Sequence, residues 1–297
     1  MKTLNNYIIE KLKIKRNSSD VHYIKDTDDF EQIIKKRFNV KIGYLDLSNI
    51  SFSKAEIVQG RSYSIFEPLR DLIRGNNNLK SINVTNWDFG KIDMLNYLFS
   101  SAYHVEEFIG LDTWDVSNIV NMTGLFTGCT MLTEIKGIEY WDVSNCKSFM
   151  DMFDNCTRLT TLDFSNWILP DKIMNISSMF ARCFNLTEIK GLEKWDVSAA
   201  RSFEQTFAGC KKLKRLDLSN WKLQPRLSQR MFANCVSLET IGDVSNWDFS
   251  NNLDTSDMFV DCENLELDMS MVPMNISVSK VRMFKDANKK IKKPKFK

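Results

Sequence analysis

Apolar residues follow two short periodicities that alternate along most of the chain. Between positions 149 and 159 they recur at intervals of three and four, the spacing of one helix face: Phe149, Met152, Phe153, Cys156 and Leu159. Beyond them, Leu162 and Phe164 are separated by a single polar residue, as in a strand with one buried side. The pattern predicts a short helix, capped by Ser144 or Asn145, followed by a short strand.

This pair of elements recurs at a nearly constant interval. The seven tryptophans are 26 to 28 residues apart, and six of the seven cysteines form a second register, with Cys146 alone outside it. A period between about 20 and 50 residues is typical of repeat architectures. Elements this short cannot bury their own apolar sides, so adjacent repeats must share one core. The two registers are Trp87, Trp114, Trp141, Trp167, Trp195, Trp221 and Trp247, and Cys129, Cys156, Cys183, Cys210, Cys235 and Cys262.

Two repeat architectures compete for this period. Five tryptophans precede an aspartate, as in Trp114-Asp115, and that dipeptide is typical of propellers. A propeller blade needs about 40 residues and four strands, whereas this unit holds one strand and one short helix. The spacing of Leu159, Leu162 and Phe164 instead matches the leucine-rich pattern. The sequence therefore predicts an α/β leucine-rich-repeat solenoid, with 26 to 28 residues per repeat and a non-repeat N-terminal cap.

One repeat and its junction form a distinctive series: Asp142-Val143-Ser144-Asn145, Met152-Phe153, Cys156, Leu159, Leu162, Ser165 and Trp167. This series resembles the BspA-type leucine-rich repeat of bacterial surface proteins, and the similarity extends over about residues 79–287. The resemblance implies an adhesion or protein-binding module without catalytic residues. The stretch 23–39 also resembles the cap that precedes such repeats in phage-encoded proteins.

The two ends of the chain differ from the repeats. Residues 1–20 have an apolar stripe of Leu4, Ile8 and Leu12, the pattern of an amphipathic segment. Residues 21–78 are predicted to form a cap with a helix at 28–38, and an irregular first repeat with a longer helix. The array follows at 79–287, and residues 288–297 form a basic tail. The tail is either a solubilising end for the last repeat or a site for nucleic acid or another anionic surface.

Composition and charge exclude several classes of function. The formal charge of +2 shows no overall bias towards nucleic acid, and no apolar run is long enough for a membrane span. The N-terminus lacks the apolar core and cleavage site of a signal peptide, which predicts a protein that stays cytoplasmic at synthesis. His22 and His104 are the only histidines, and no nucleophile, base and metal set is recognisable. We therefore expect a non-enzymatic protein without a cofactor or a metal.

The cysteine and tryptophan registers each have a structural and a functional interpretation. The cysteines could be a metal or redox array, but cysteine also packs as a small buried hydrophobe, and the pattern places it on the core side. With helices between them, they would be too far apart for disulfides. The tryptophans could form a binding strip, but a stacked ladder with indole N–H groups bonded to turn carbonyls is favoured. Cys146 lies off the register and is predicted to be partly exposed.

Outward-pointing strand residues are the candidates for function. They flank the buried leucine or isoleucine of each strand, and their identity varies while the core positions stay fixed. The resulting surface is mixed in charge and has no aromatic platform, which favours a protein partner over nucleic acid. A merely solvated sheet is the alternative. The predicted partner-binding residues are Glu134, Lys136, Asp163, Glu188, Lys190, Arg215 and Asp217.

A second class of function is an assembly component, such as a phage virion or host-takeover protein. In that case the repeats act as a spacer and the amphipathic segment 1–20 docks onto a partner. Deletion of that segment separates the two hypotheses, because a docking role would lose association while the repeats stay folded.

Overall fold

The computed structural model describes residues 21–41, 43–55, 62–171, 173–275 and 277–294. The predicted amphipathic segment 1–20, with Leu4, Ile8 and Leu12, lies outside the described residues. Within them the protein is α/β with few helices, and both α-helices precede residue 76.

Two helices lie in the N-terminal part of the chain, close to where the sequence predicts them. Helix α1 spans Thr27–Arg37, and the Asp26 carboxylate caps it by accepting the Asp29 N–H at 2.9 Å. Helix α2 spans Glu67–Gly75 and follows a 3-10 turn at Ser62–Phe66. Inward side chains of both helices and of the 3-10 turn enter the same core as the repeats: Phe30, Ile34, Phe66, Leu69 and Ile73.

Short strands lie before, between and after these helices. Among the repeats, residues 107–109, 161–163 and 188–190 form strands, whereas 134–136 form none and Arg215 makes a single bridge to Thr240. We name each repeat a coil, counted from one strand position to the next, as from Leu162 to Ile189. The strands are β1 His22–Tyr23, β2 Phe38–Asn39, β3 Tyr44–Asp46, β4 Ile50–Ser51, β5 Ser81–Asn83, β6 Glu107–Ile109, β7 Thr161–Asp163 and β8 Glu188–Lys190. The hydrogen-bonded orders are β1-β4, β2-β3-β5-β6 and β7-β8, and every pair is parallel except β2-β3. Further short 3-10 turns occupy Leu111–Thr113 and Leu192–Lys194.

The short helix predicted for each repeat is wrong. Residues 149–159 form a succession of tight turns, in which the Met152 N–H bonds the Phe149 carbonyl at 3.1 Å. The alternate N–H groups point to the next coil instead: Phe153 donates to the Met179 carbonyl at 2.9 Å. An α-helix would use those N–H groups within itself, so this backbone is stacked like a sheet. Ser144 and Asn145 therefore cap no helix, and the Ser144 N–H bonds the Asp142 carboxylate at 3.0 Å.

Two left-handed residues, four positions apart, shape each of these turn segments. Asp151 and Asn155 have φ of 55° and 59°, a conformation that interrupts any helix. Their equivalents recur in eight coils, and we name the surface they form the turn face. The pairs are Tyr97/Ser101, Gly124/Gly128, Asp151/Asn155, Ser178/Arg182, Gln205/Gly209, Arg230/Asn234, Asp257/Asp261 and Arg282/Asp286.

Stacked aromatic rings fill the core between the strand side and the turn side. Trp87, Trp114, Trp141, Trp167 and Trp195 stack with centroids 5.4 to 6.5 Å apart. A phenylalanine ladder from Phe99 to Phe284 has steps of 5.3 to 6.1 Å. These steps are shorter than the 8–10 Å of packed helices, in agreement with sheet-like stacking. The rings therefore contribute offset-stacking energy as well as buried area.

The tryptophan ladder is structural, as the repeat pattern predicts. All seven tryptophans are buried, and five indole N–H groups donate to backbone carbonyls of the preceding coil. Trp167, for example, bonds the Ile138 carbonyl at 2.6 Å. Trp195 and Trp247 have no acceptor among the described residues.

Trp167→Ala should lower the free energy of unfolding by about 3–5 kcal/mol, because it leaves a void between two coils and an unpaired carbonyl. Urea unfolding followed by far-UV circular dichroism would measure the change. The control is Tyr140→Ala, since Tyr140 is 77% exposed and its loss should change stability by less than about 0.5 kcal/mol. Equal stability of the two variants would contradict the ladder.

Candidate protein-binding face

The strand face consists of two rows of outward side chains, one on each side of the inward central residue of successive coils. That central residue is buried at Leu162 and Leu216 and partly buried at Ile189. The register pairs Thr161 with Glu188 in one row and Asp163 with Lys190 in the other. The central residues Leu162 and Leu216 are 3% and 6% exposed, which confirms the predicted inward and outward alternation. Since parallel strands lie about 4.8 Å apart, the rows place charges at regular short intervals.

Four of the seven predicted residues form ion pairs within their own coil. Glu134 and Lys136 are 2.6 Å apart, and Glu188 and Lys190 are 3.6 Å apart. All four side chains are more than half exposed, so the pairs contribute little to stability. These side chains therefore lie at the surface, and their ion pairs do not connect one coil to the next.

Asp163 and Asp217 have a structural role that the sequence reasoning missed. The Asp163 carboxylate accepts the Ser165 N–H at 2.9 Å, and Asp217 accepts the Ser219 N–H at 3.1 Å. Hydrogen bonds from the Ser219 hydroxyl and N–H lower the pKa of Asp217, and bonds from the Ser165 N–H and hydroxyl lower that of Asp163. The Asp-x-Ser spacing was visible in the sequence, and it is the signature of a side chain that closes a turn over its own backbone.

Arg215 is exposed, and its backbone pairs with Thr240 of the next coil. Arg215 belongs to the first row. At the position of Asp163 and Lys190, which pair in the second row, the successive repeats carry Lys136, Asp163, Lys190 and Asp217, with alternating sign. Alternation keeps the net charge of the row near zero while making its pattern specific.

An acidic region surrounds Lys136 in addition to its pair with Glu134. Hydrogen bonding to Glu134 and the charges of Glu107 and Glu139 raise the pKa of Lys136. Glu107 is half-buried, and burial raises its pKa. One of its carboxylate oxygens has no hydrogen-bond donor among the described residues. Glu107 thus belongs to the strand face, although the sequence prediction began the site at Glu134.

The described part of the basic tail also belongs to the strand face. Ile291 is buried, and Lys292 continues the second row by pairing with Asp268 of the preceding coil. Lys292 forms an ion pair with Asp268 at 2.8 Å, and Lys290 forms one with Glu266. These two lysines are therefore neutralised by the last full coil, which weakens the interpretation of the tail as an anion-binding site.

The six cysteines of the register line the core and donate to the backbone. Cys156 Sγ, for example, bonds the Phe126 carbonyl at 3.2 Å. Cys146, predicted to be partly exposed, is completely buried, because the segment around it is a turn packed under the next coil and not a helix start. The predicted helix spacing between cysteines is wrong for the same reason, yet all seven are free thiols.

In the ranges that the structure describes, no group of three or more His, Cys, Asp or Glu side chains is arranged to hold a metal ion. None of the helices described is long and apolar enough to cross a membrane.

The buried thiols predict a loss of stability at alkaline pH. Burial raises the pKa of both Cys146 and Cys262 to about 12. The unfolded thiols ionise near pH 9, so the stability they contribute is complete below that pH and is lost as pH rises towards 12. The urea midpoint should fall between about pH 8 and 10.5, and fall less in a Cys146→Ala/Cys262→Ala variant. If the urea midpoint of the wild type and of the variant fell by the same amount, groups other than Cys146 and Cys262 would cause the loss of stability.

Asp163→Lys should cost about 1 kcal/mol, because the turn loses its carboxylate acceptor. Asp163→Asn should cost less, since its amide oxygen can accept the same Ser165 N–H. Glu188→Lys is the matched control on the adjacent coil and should stay within about 0.5 kcal/mol. Urea unfolding of the three variants at neutral pH would decide, and equal losses for Asp163→Lys and Glu188→Lys would refute the turn-closing role.

Comparison with solved structures gives two distant similarities. The chain is 16% identical to the TLR13–ssRNA13 complex over 92% of this chain and 41% of that one, with a TM-score of 0.35. It is 15% identical to the Drosophila Toll–Spatzle complex over 85% of this chain and 34% of that one, with a TM-score of 0.32. The chain thus spans less than half the length of either, and similarity this low bears on neither fold nor partner.

Comparison with curated proteins gives no match. The family described as "Mycoplasma protein of unknown function, DUF285" matches residues 67–188 and 174–295, two overlapping stretches that together include most of the chain. The coils described above, with their tryptophan and cysteine ladders, lie almost entirely within the matched residues. The chain therefore belongs to the DUF285 family.

Proposed function

We propose that the chain is a non-enzymatic protein-binding module whose coils form a leucine-rich-repeat solenoid. Its strand face recognises a protein partner by the pattern of charge along the two rows. The observation that supports this most directly is the independence of that face from the stacking of the coils. The side chains of Glu134, Lys136, Glu188 and Lys190 are exposed, and each forms its ion pair with a partner of its own coil.

The rows are rigid because their backbone is fixed by the coils on either side. The Phe164 N–H bonds the Lys190 carbonyl at 2.9 Å, and the Leu216 N–H bonds the Thr240 carbonyl at 3.0 Å. A partner that binds such a surface does not have to order its backbone first, which lowers the entropic cost of association. Adhesion to a cell surface would be one use of this recognition, whereas an assembly component would dock through residues 1–20 and use the repeats as a spacer.

The charge pattern favours a protein over a nucleic acid. Acidic side chains dominate around Lys136, and no basic stripe with stacking rings is present on the described strand face. A folded protein surface with the complementary alternation of charge could form ion pairs with each row along its whole length. Complementary rim charges mainly set specificity and the rate of association.

The test is a charge swap that preserves net charge. The variant Glu134→Lys/Lys136→Glu/Glu188→Lys/Lys190→Glu keeps both ion pairs but reverses the pattern, so folding should be unchanged and partner binding should weaken by about tenfold or more. Tagged wild-type and variant proteins would be compared in capture from a lysate of the source cell, with quantification by mass spectrometry. The expected result is a protein captured by the wild type and depleted with the variant.

The control is the swap Glu31→Lys/Lys35→Glu on α1, which reverses an exposed ion pair away from the strand face. It should capture the same protein as the wild type. A deletion of residues 1–20 tests the docking hypothesis in the same assay. Capture that survives the strand-face swap but is lost on the deletion would reject the strand face and support docking.

A further inference from the structure

A shallow groove of about 510 Å³ lies on the turn face, on residues that the strand face does not use. Five cationic side chains line it: Arg182, Lys211, Arg230, Arg282 and Lys285. Two acids, Asp257 and Asp261, line it as well, so the lining carries a net charge of +3 (five positive minus two negative). The net charge of the groove is therefore opposite in sign to that of the acidic region around Lys136.

The groove exists because small residues occupy its floor. Ala208, Gly209 and Ala233 line the groove together with the long side chains of Arg182 and Arg230. Gly209 has φ of +78°, and a Cβ there would lie 3.3 Å from the Phe184 ring. At the equivalent position of the neighbouring coils stand Arg182 and Asn234, whose side chains form the walls. The absence of a side chain at one coil thus opens a depression in an otherwise even surface.

Carboxylates hold the arginines in place. Asp257 is 8% exposed and accepts two hydrogen bonds at 2.7 Å from Arg282, through Nε and Nη2. It also accepts one from Arg230 Nε at 3.3 Å. On the opposite side, Arg182 pairs with Asp154. Each guanidinium is about half exposed and keeps N–H donors that its carboxylate partner does not use. The groove therefore presents guanidinium groups in fixed orientations.

The two lysines are held less firmly. Lys211 lies over the Phe184 ring at 5.0 Å, and Lys285 is 3.6 Å from the exposed Asp286. Both are exposed, and neither contributes to a buried contact. They add positive charge at the rim, where they would accelerate the approach of an anionic partner.

We propose that this groove binds an acidic peptide segment of a protein partner. Planar guanidinium forks match carboxylates in a bidentate geometry, which a point charge cannot do. Nucleic acid is disfavoured because the lining offers one ring, Phe184, and Lys211 already covers it. From Arg182 to Arg282 the groove crosses four coil intervals, about 19 Å, enough for roughly six residues of extended peptide.

The probe is a fluorescently labelled octaglutamate peptide, with binding measured by anisotropy on the full chain. The double variant Lys211→Glu/Lys285→Glu removes rim charge without breaking a buried contact and should weaken binding by about tenfold or more. The matched control, Lys212→Glu/Lys289→Glu, makes the same charge change at exposed neighbours outside the groove and should bind within about twofold of wild type. Binding of the wild type should weaken as salt screens the charges.

A second variant separates the groove from the general field of the protein. Ala208→Phe fills the floor without changing charge, and it should abolish most peptide binding while the urea midpoint stays near that of the wild type. A labelled oligouridine of equal charge is the competing probe. Three results would overturn the proposal. They are wild-type affinity in both the Lys211→Glu/Lys285→Glu and Ala208→Phe variants, no peptide binding by the wild type, and preference of the wild type for the oligouridine.

Discussion

Hydrogen bonds between the backbones of successive coils are the constraint on which the rest of the structure depends. They occur on the strand side, where Ser81 pairs with Glu107, and on the turn side, where the Asn155 N–H bonds the Ala181 carbonyl at 2.8 Å. Both sides therefore advance by the spacing of a β-sheet. Core rings such as Phe153 and Trp167 then contact their equivalents in the next coil, so a residue that packs well against itself is favoured at these positions.

This self-contact explains the composition of the core. Flat rings stack on equivalent rings, as Phe153 does on Phe180 with an interplanar angle of 4°. A thiol suits the narrow space beside them, because Cys183 Sγ reaches the Phe153 carbonyl at 3.1 Å. The same carbonyl would be left unpaired by alanine and crowded by a larger side chain. The cysteine register is thus a solution to hydrogen bonding in a ladder of phenylalanines.

The period, most core positions and the strands at 107–109, 161–163 and 188–190 could be predicted from the sequence because each depends on local alternation and on repetition. The strand expected at 134–136 does not form. The helix could not, since two tight turns in succession place apolar residues at the same intervals of three and four. What distinguishes the two is the residue at the left-handed positions. Gly124, Gly128 and Asn155 favour that conformation, but Tyr97 and Arg230 do not, and their coils adopt it because the neighbouring coils impose it.

The candidate site was predictable only in part for a related reason. Strand alternation identifies which side chains point outward, and the residues from Glu134 to Asp217 do so. It cannot reveal that Asp163 also closes a turn unless the Asp-x-Ser spacing is considered. It also cannot reveal a groove whose floor combines Ala208, Gly209 and Ala233 from different coils. The groove at Gly209 is a property of several coils together, on a side that the helix prediction misplaced.

The proposed binding residues of the two faces differ in how their charges are paired, although Lys290 and Lys292 at the end of the strand face also pair across coils. On the strand face the pairs of Glu134 and Glu188 lie within one coil, so they can change without loosening the stack. On the turn face Asp257 joins Arg230 and Arg282 of the coils before and after it. Those charges connect coils, and the arginines are held where they stand even without a ligand. The charges of the strand face can therefore change, and binding specificity with them, at little cost in stability. The turn face instead holds its arginines in place for an anionic ligand, and the same arginines connect neighbouring coils.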